Sequence, residues 1–216
     1  MGFGLTELEK SWLRKQAAQP DTEEIPIWRF HWRQVDATNG PVTIGTDVEF
    51  FNETRGTVGR WVTNMREGGK MEEGYAVVFK RLYHIVFPDS DVVVGGLGAL
   101  NSVLQASKAL LQGFEVEFGV IDKDYGEAHS VFIPSGTGLT GMLGSTAVAG
   151  PAIDTGGWMS NGMQMLSNFF PISMLLAPRA GFSVTAFPKP GGVVVPQPAK
   201  MWHGFVLAGP GVRVKQ

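Results

Sequence analysis

The stretch that most restricts the fold is Phe114 to Val120, where Phe114, Val116, Phe118 and Val120 alternate with Glu115, Glu117 and Gly119. Successive strand residues point to opposite faces, so this alternation marks a strand with one face buried and one in water. Such strands belong to antiparallel sheets, because a parallel strand covered on both sides reads as a continuous apolar run. The residues before it resemble the start of a dinucleotide-binding unit: Val92, Val93 and Val94 lead into glycines and a helical stretch, about Leu97 to Gln112. That fingerprint uses three glycines, for a tight turn, for approach of the pyrophosphate and for close helix packing. Gly96 and Gly98 fill two places and Asn101 stands at the third. The chain also lacks the further helices of a doubly wound sheet. No nucleotide, and no other cofactor, is expected, and the helix becomes a single insertion among strands.

Alternation recurs along the chain. From Ile27, one parity carries Ile27, Arg29, His31 and Arg33, and the other carries Trp28, Phe30, Trp32 and Gln34, an aromatic face against a polar one. Between Tyr75 and Phe87, the residues Tyr75, Val77, Phe79, Tyr83, Ile85 and Phe87 fall on one face, interrupted by Arg81. With 29 glycines and 13 prolines in 216 residues, connections must be frequent and elements short. A short strand is expected at Gly59 to Thr63. A hairpin is expected after Phe114 with its turn near Asp124, Tyr125 and Gly126. The count reaches roughly eight to ten strands. The fold class expected is all-β, a jelly-roll β-sandwich or barrel with one inserted helix at about 97–112.

At the start, Thr6 and Glu9 have the spacing of a capping box. Leu5, Leu8 and Trp12 line one stripe, and Arg14 and Lys15 complement the carboxyl end. A polar break, "QPDTEEIP", follows. The expected organisation is an N-terminal amphipathic helical arm over 1–24 and a single domain over 25–216. The arm has three places to go: a neighbouring molecule, a membrane surface, or its own domain.

The charges are unevenly spread. Of 38 Asp, Glu, Lys and Arg residues, only Asp154, Arg179, Lys189, Lys200, Arg213 and Lys215 follow Glu127. Glycine, proline and polar residues interrupt that quiet region too often for a spanning helix. It is therefore either an extensive core or a face covered by other chains. Interfaces are depleted of charge and enriched in Met and aromatic residues. The contact residues expected are Met142, Trp158, Met159, Met163, Met165, Phe169 and Phe170, with Leu8 and Trp12 from the arm. A net charge of −2 with scattered Lys and Arg lacks the basic stripe of a nucleic-acid binder, so no specific nucleic acid is expected. The absence of cysteine removes disulfides and thiolate chemistry. The charged amino terminus does not read as a signal peptide, and an intracellularly made product is expected.

Local chemistry is sparse. Glu115 and Glu117 share a strand face and resemble part of the E-x-D-x-E signature of jelly-roll glucanases, but Gly119 replaces the third acid. Asp122, Asp124, Gly126 and Glu127 form a D-x-D-x-G fragment that offers oxygen ligands to calcium, without the remaining ligands of a full loop. His31, His84, His129 and His203 show no metal-binding spacing. No catalytic residue and no metal site is assigned.

Three segments, "GFEVEFGVIDKDYGEAHSVFIPSGTG", "PISMLLAPRAGFSVTAF" read as paired strands, and "FVLAGPGVRVKQ", together resemble the jelly-roll coat (capsid) proteins of tailless icosahedral bacteriophages whose shells enclose an internal membrane. The resemblance implies a structural virion protein with no enzymatic role. Its partners would be copies of itself, other coat proteins, and the membrane through the arm. The alternatives are a glycan-active enzyme on the same scaffold and a glycan- or receptor-binding spike module.

Overall fold

The computed structural model describes residues 4–19, 23–89, 97–120, 123–133, 141–143, 157–159 and 170–214. In chain order these form α1 (Glu7–Gln16), β1 (Ile25–Asp36), β2 (Val42–Ile44), β3 (Val48–Phe50), α2 (Arg55–Val58), β4 (Tyr75–Pro88), α3 (Leu97–Gln112), β5 (Phe114–Val120), β6 (Lys123–His129), β7 (Gly141–Leu143), β8 (Gly157–Met159), β9 (Phe170–Leu176), β10 (Phe182–Pro188), β11 (Val193–Val195) and β12 (Lys200–Arg213). The class is all-β, with every described pairing antiparallel.

Two four-stranded sheets carry the structure, β1-β12-β4-β9 and β3-β10-β5-β6, with the small pairs β11-β2 and β7-β8 beside them. Taken in chain order, the eight strands of the larger sheets pair first with last, second with seventh, third with sixth and fourth with fifth. A long antiparallel ribbon folded over on itself produces that order. The sheets meet through one core: Val77, Phe79, Leu82 and Phe205 from the first pack with Phe50, Val116, Phe118, Phe182 and Val184 from the second. Phe50 meets Phe205 edge-on at 4.9 Å between centroids, and Phe79 meets Phe182 at 6.2 Å.

The helix expected at about 97–112 is present, with Val103, Leu104, Ala106, Leu110 and Leu111 buried on one face. It ends at Gly113, where a Cβ would lie 2.5 Å from both Ala109 O and Val193 Cγ2. Only glycine permits β5 to start so close to the helix and to β11.

Four readings among the strands and their turns need correction. First, a bulge near Lys80 and Arg81 breaks the parity of β4, so Val77 and Phe79 face the core together with Leu82 and Val86, while Tyr83, Ile85 and Phe87 turn outward. Second, residues 123–129 form β6, so Asp124, Tyr125 and Gly126 are strand residues; Gly126 lies opposite Phe118, and a Cβ there would stand 3.0 Å from the Phe118 ring. That glycine makes room for an aromatic ring and is not a turn residue. Third, β9 and β10 follow one another but lie in different sheets, with the corner held by Met71 N–H to Ala180 O (2.9 Å) and Arg179 N–H to Met71 O (3.0 Å). Fourth, residues 59–63 form a turn that bridges to β1 at Thr63, not a strand.

The N-terminal helix has the anticipated capping box, with Glu9 N–H donating to Thr6 Oγ1 and Thr6 N–H donating to the Glu9 carboxylate. Of its three possible destinations it takes the third, lying on the outer face of the first sheet. Leu13 and Ala17 are buried against Ala76, Val78 and Val212, with Leu5 and Trp12 partly buried alongside. The covered stripe is Leu5, Glu9, Trp12 and Leu13, while Leu8 is 79% exposed. Glu9 occupies the stripe because Lys80 Nζ (2.8 Å) and Ser173 Oγ (2.5 Å) donate to its carboxylate.

Candidate functional site

The helix covers only one half of that outer sheet face. The other half is aromatic and bare of any described element. Trp28, Phe30 and Trp32 of β1 project there beside Tyr83, Ile85 and Phe87 of β4, with Val206 and Trp202 of β12 between them. The rings form two groups, Trp28 with Tyr83 and Phe30 with Trp32, Phe87 and Trp61. Trp28 stacks on Tyr83 at 6.3 Å and Phe30 on Trp32 at 5.5 Å; Phe87 meets Trp32 edge-on at 5.5 Å and Trp61 at 6.4 Å. Trp61 is 66% exposed and Trp28 39%. Gly204 lets the Trp32 indole lie across β12, since a Cβ there would stand 2.7 Å from Trp32 Cε3. At one end the Asp89 carboxylate accepts from Trp202 Nε1 (2.6 Å) and Gln34 Nε2 (2.7 Å), fixing the edge of the array.

The face of β1 that reads as polar is the one turned inward. Each of its polar residues has been fitted to the interior. Arg29 is paired with Glu72 at 3.2 Å, and Arg33 with Glu53 at 2.8 Å. Between them His31, fully buried, accepts the Phe51 N–H at Nδ1 (2.6 Å). His84 of β4 and His203 of β12 lie nearby, their ring centroids 6.2 Å apart, His84 stacked on Phe205 and His203 on Phe114. Among the described residues His84 has no hydrogen-bond partner at either nitrogen, nor has His203 at Nδ1. Burial holds all three imidazoles neutral. It lowers His31 to about 4, with Arg33 pushing the same way and Glu53 opposing; His84 falls to about 3 from burial and His203, and His203 to about 3 from burial and Arg33.

An open groove of about 580 Å³ reaches this region from the flank. Arg33, Gln34, Val35 and Asp36 form one wall, and Val42, Ile44, Asp47, Val48, Glu49 and Asn52 the other, with His203 among the lining residues.

The residues expected from sequence are scattered. Leu8 and Trp12 sit on α1, the first exposed and the second half-buried against the sheet. Met142 and Trp158 are register partners in the β7-β8 pair, and Met159 pairs with Gly141. Phe170 opens β9 and meets Phe118 edge-on at 6.2 Å, so it belongs largely to this chain's own core. Met163, Met165 and Phe169 lie outside the described residues, as do Asp122 and the side chain of Asp124. Glu127 is exposed on β6 opposite Glu117, with Glu115 opposite His129, on the water-facing side of the second sheet. Among the described residues no cluster of His, Asp or Glu can hold a metal ion, and no helix is long and apolar enough to cross a membrane.

Sequence reasoning missed the buried histidines because each was weighed alone. The available signal was parity: Ile27 and Val35 share it with Arg29, His31 and Arg33, so two aliphatic residues already marked that face as buried.

No family model matches this chain, and neither a curated protein nor a solved structure matches it significantly.

Proposed function

We propose that this chain is a jelly-roll coat subunit of an icosahedral virion. One observation carries the reading: eight strands paired first with last through fourth with fifth in two facing sheets, the connectivity expected of a jelly roll. Two further features support it. A coat subunit buries surface on several sides, and here half of a sheet's outer face is aromatic with no described helix or strand over it, leaving Trp28 and Trp61 exposed. The sequence from Ala128 to Pro178 carries one acid and no Lys or Arg, as a surface shielded by sister molecules would. Neighbouring copies and other coat proteins are the proposed partners and the virion the proposed location. With one side of α1 docked on its own domain, membrane contact is proposed only for the side left exposed, where Leu8 lies.

The test is electron microscopy and light scattering of the purified protein over a concentration series, with and without other components of its particle. Large regular assemblies are expected. A protein that stays monomeric under all these conditions overturns the reading.

The exposed aromatic array favours one second reading, a glycan-binding module, because saccharide rings stack on flat aromatic surfaces. Micromolar binding to a polysaccharide panel, abolished by Trp28→Ala with Trp61→Ala, would select it over the coat. The hydrolase reading requires turnover that is lost in Glu117→Gln.

A further inference from the structure

The segment that follows β3 is held to β1 by few atoms, and one of them is a titratable acceptor. Phe51 is fully buried with φ 68°, in the left-handed region that non-glycine residues seldom occupy unless the surroundings hold them there. Its N–H donates to His31 Nδ1 at 2.6 Å, and its carbonyl accepts from Gly69 N–H at 2.6 Å. The acceptor role of Nδ1 requires the neutral imidazole with its proton on Nε2. Nε2 faces Glu53, whose Oε2 lies 3.2 Å away. Glu53 also takes Arg33 Nη1, while Arg33 Nη2 donates to Glu49 O (3.0 Å) and Asn52 Oδ1 (2.9 Å). The turn from Glu49 to Glu53 is thus tied to β1 through His31 and Arg33, to Gly69 through the Phe51 carbonyl and to β10 through Glu49 and Phe50, and its Glu49 and Asn52 line the groove.

We propose that His31 is an acid-sensitive latch: its protonation releases the Phe51 backbone and opens the flank between β1 and the Glu49–Glu53 turn. A proton on Nδ1 sets N–H against N–H and removes the acceptor of a buried amide. The groups facing the ring set the pH of release. Arg33 on β1 opposes the charge and Glu53 in the turn favours it. Behind the ring, Phe50 separates it from His203 of β12 and, beyond, His84 of β4. Along the groove, Asp36 stands on the β1 wall and Asp47 and Glu49 on the opposite one. Opening uncovers Phe50 and Phe51, now packed edge-on to the imidazole, and loosens β3 at the edge of its sheet.

The test is amide exchange at Phe51, followed by NMR between pH 6.5 and 5 and corrected for intrinsic rates. A ring that titrates near 4 when latched, and at its ordinary value when released, raises the open fraction roughly fifteenfold over that interval. Central amides of the β12-β4 ladder, such as Val206, are expected to stay protected. His31→Gln supplies a side-chain oxygen that accepts the same N–H without titrating, and its Phe51 protection is expected to be flat with pH. Flat protection in the wild type, or an unchanged acid response in His31→Gln, overturns the latch. Should that variant not fold, the Nδ1 resonance of wild-type His31 decides: protonation must track Phe51 exchange, and a separate midpoint refutes the coupling.

Discussion

Replacing Glu9 by Gln tests whether the N-terminal helix belongs to this domain. Glu9 is buried, and its carboxylate accepts from Lys80 Nζ (2.8 Å), Ser173 Oγ (2.5 Å) and Thr6 N–H (2.7 Å). Burial alone would raise its pKa, but these donors outweigh it and hold the group at about 2 against an ordinary 4.5. At 1.36 kcal/mol per unit the difference amounts to about 3 kcal/mol, and partial exposure of Lys80 trims it to roughly 2–3 kcal/mol at pH 7. Because the folded value lies below the unfolded one, this contribution is complete above pH 4.5 and is lost as the pH falls toward 2. Glu9→Gln removes the charge and keeps an acceptor oxygen. Urea unfolding followed by tryptophan fluorescence should show the variant weaker by roughly 2–3 kcal/mol at pH 7, and by about half that at pH 3. A deficit below about 0.5 kcal/mol at pH 7, the level of an ordinary surface change, would mean that the helix is not docked through Glu9. A deficit that ignores pH would deny the carboxylate its role.

Two further substitutions probe the same sheet. Leu13→Ala empties a fully buried site under α1 and should lower stability by about 2–4 kcal/mol in urea unfolding, whereas Leu8→Ala one turn away should stay within about 0.5 kcal/mol. Gly204→Ala places a Cβ 2.0 Å from His31 O and 2.7 Å from Trp32 Cε3. It should separate β1 from β12, cost at least about 3 kcal/mol, and shift the emission of Trp32 to longer wavelength.

How far the sequence disclosed this fold depended on whether the pattern was local. The alternation from Phe114 to Val120 was legible because every second residue is apolar and the one shift in its pairing, between Phe118 and Gly119, puts the extra residue in β6; Phe114, Val116, Phe118 and Val120 are all buried. The helix at 97–112 and the Thr6–Glu9 box were legible for the same reason. In β4 the same counting failed after Phe79, since one extra residue near Arg81 exchanges the faces and leaves no mark in the residue types. The stripe of α1 was misplaced for a different reason. Glu9 reads as solvent-facing until Lys80 and Ser173, far away in sequence, are known to meet it. The groove and the histidine pair depend likewise on strands brought together from distant parts of the chain.

The strand from Ile25 to Asp36 shows why hydrophobicity alone misjudges this molecule. Shifting its register by one residue would turn Trp28, Phe30 and Trp32 inward, and large aromatic rings gain most from burial. The observed register keeps them outside, and it is held by contacts that a slip would break together: Arg29 to Glu72, His31 to Phe51 N–H, Arg33 to Glu53, and the passage of Trp32 over Gly204. Polar specificity therefore overrides apolar burial within the single chain. Under the proposed coat function the apparent loss is recovered in assembly, where a neighbour covers the rings and their transfer from water strengthens the contact. The inward face then serves to keep the aromatic side outward, and weakening any of its polar anchors should harm assembly even where the core survives.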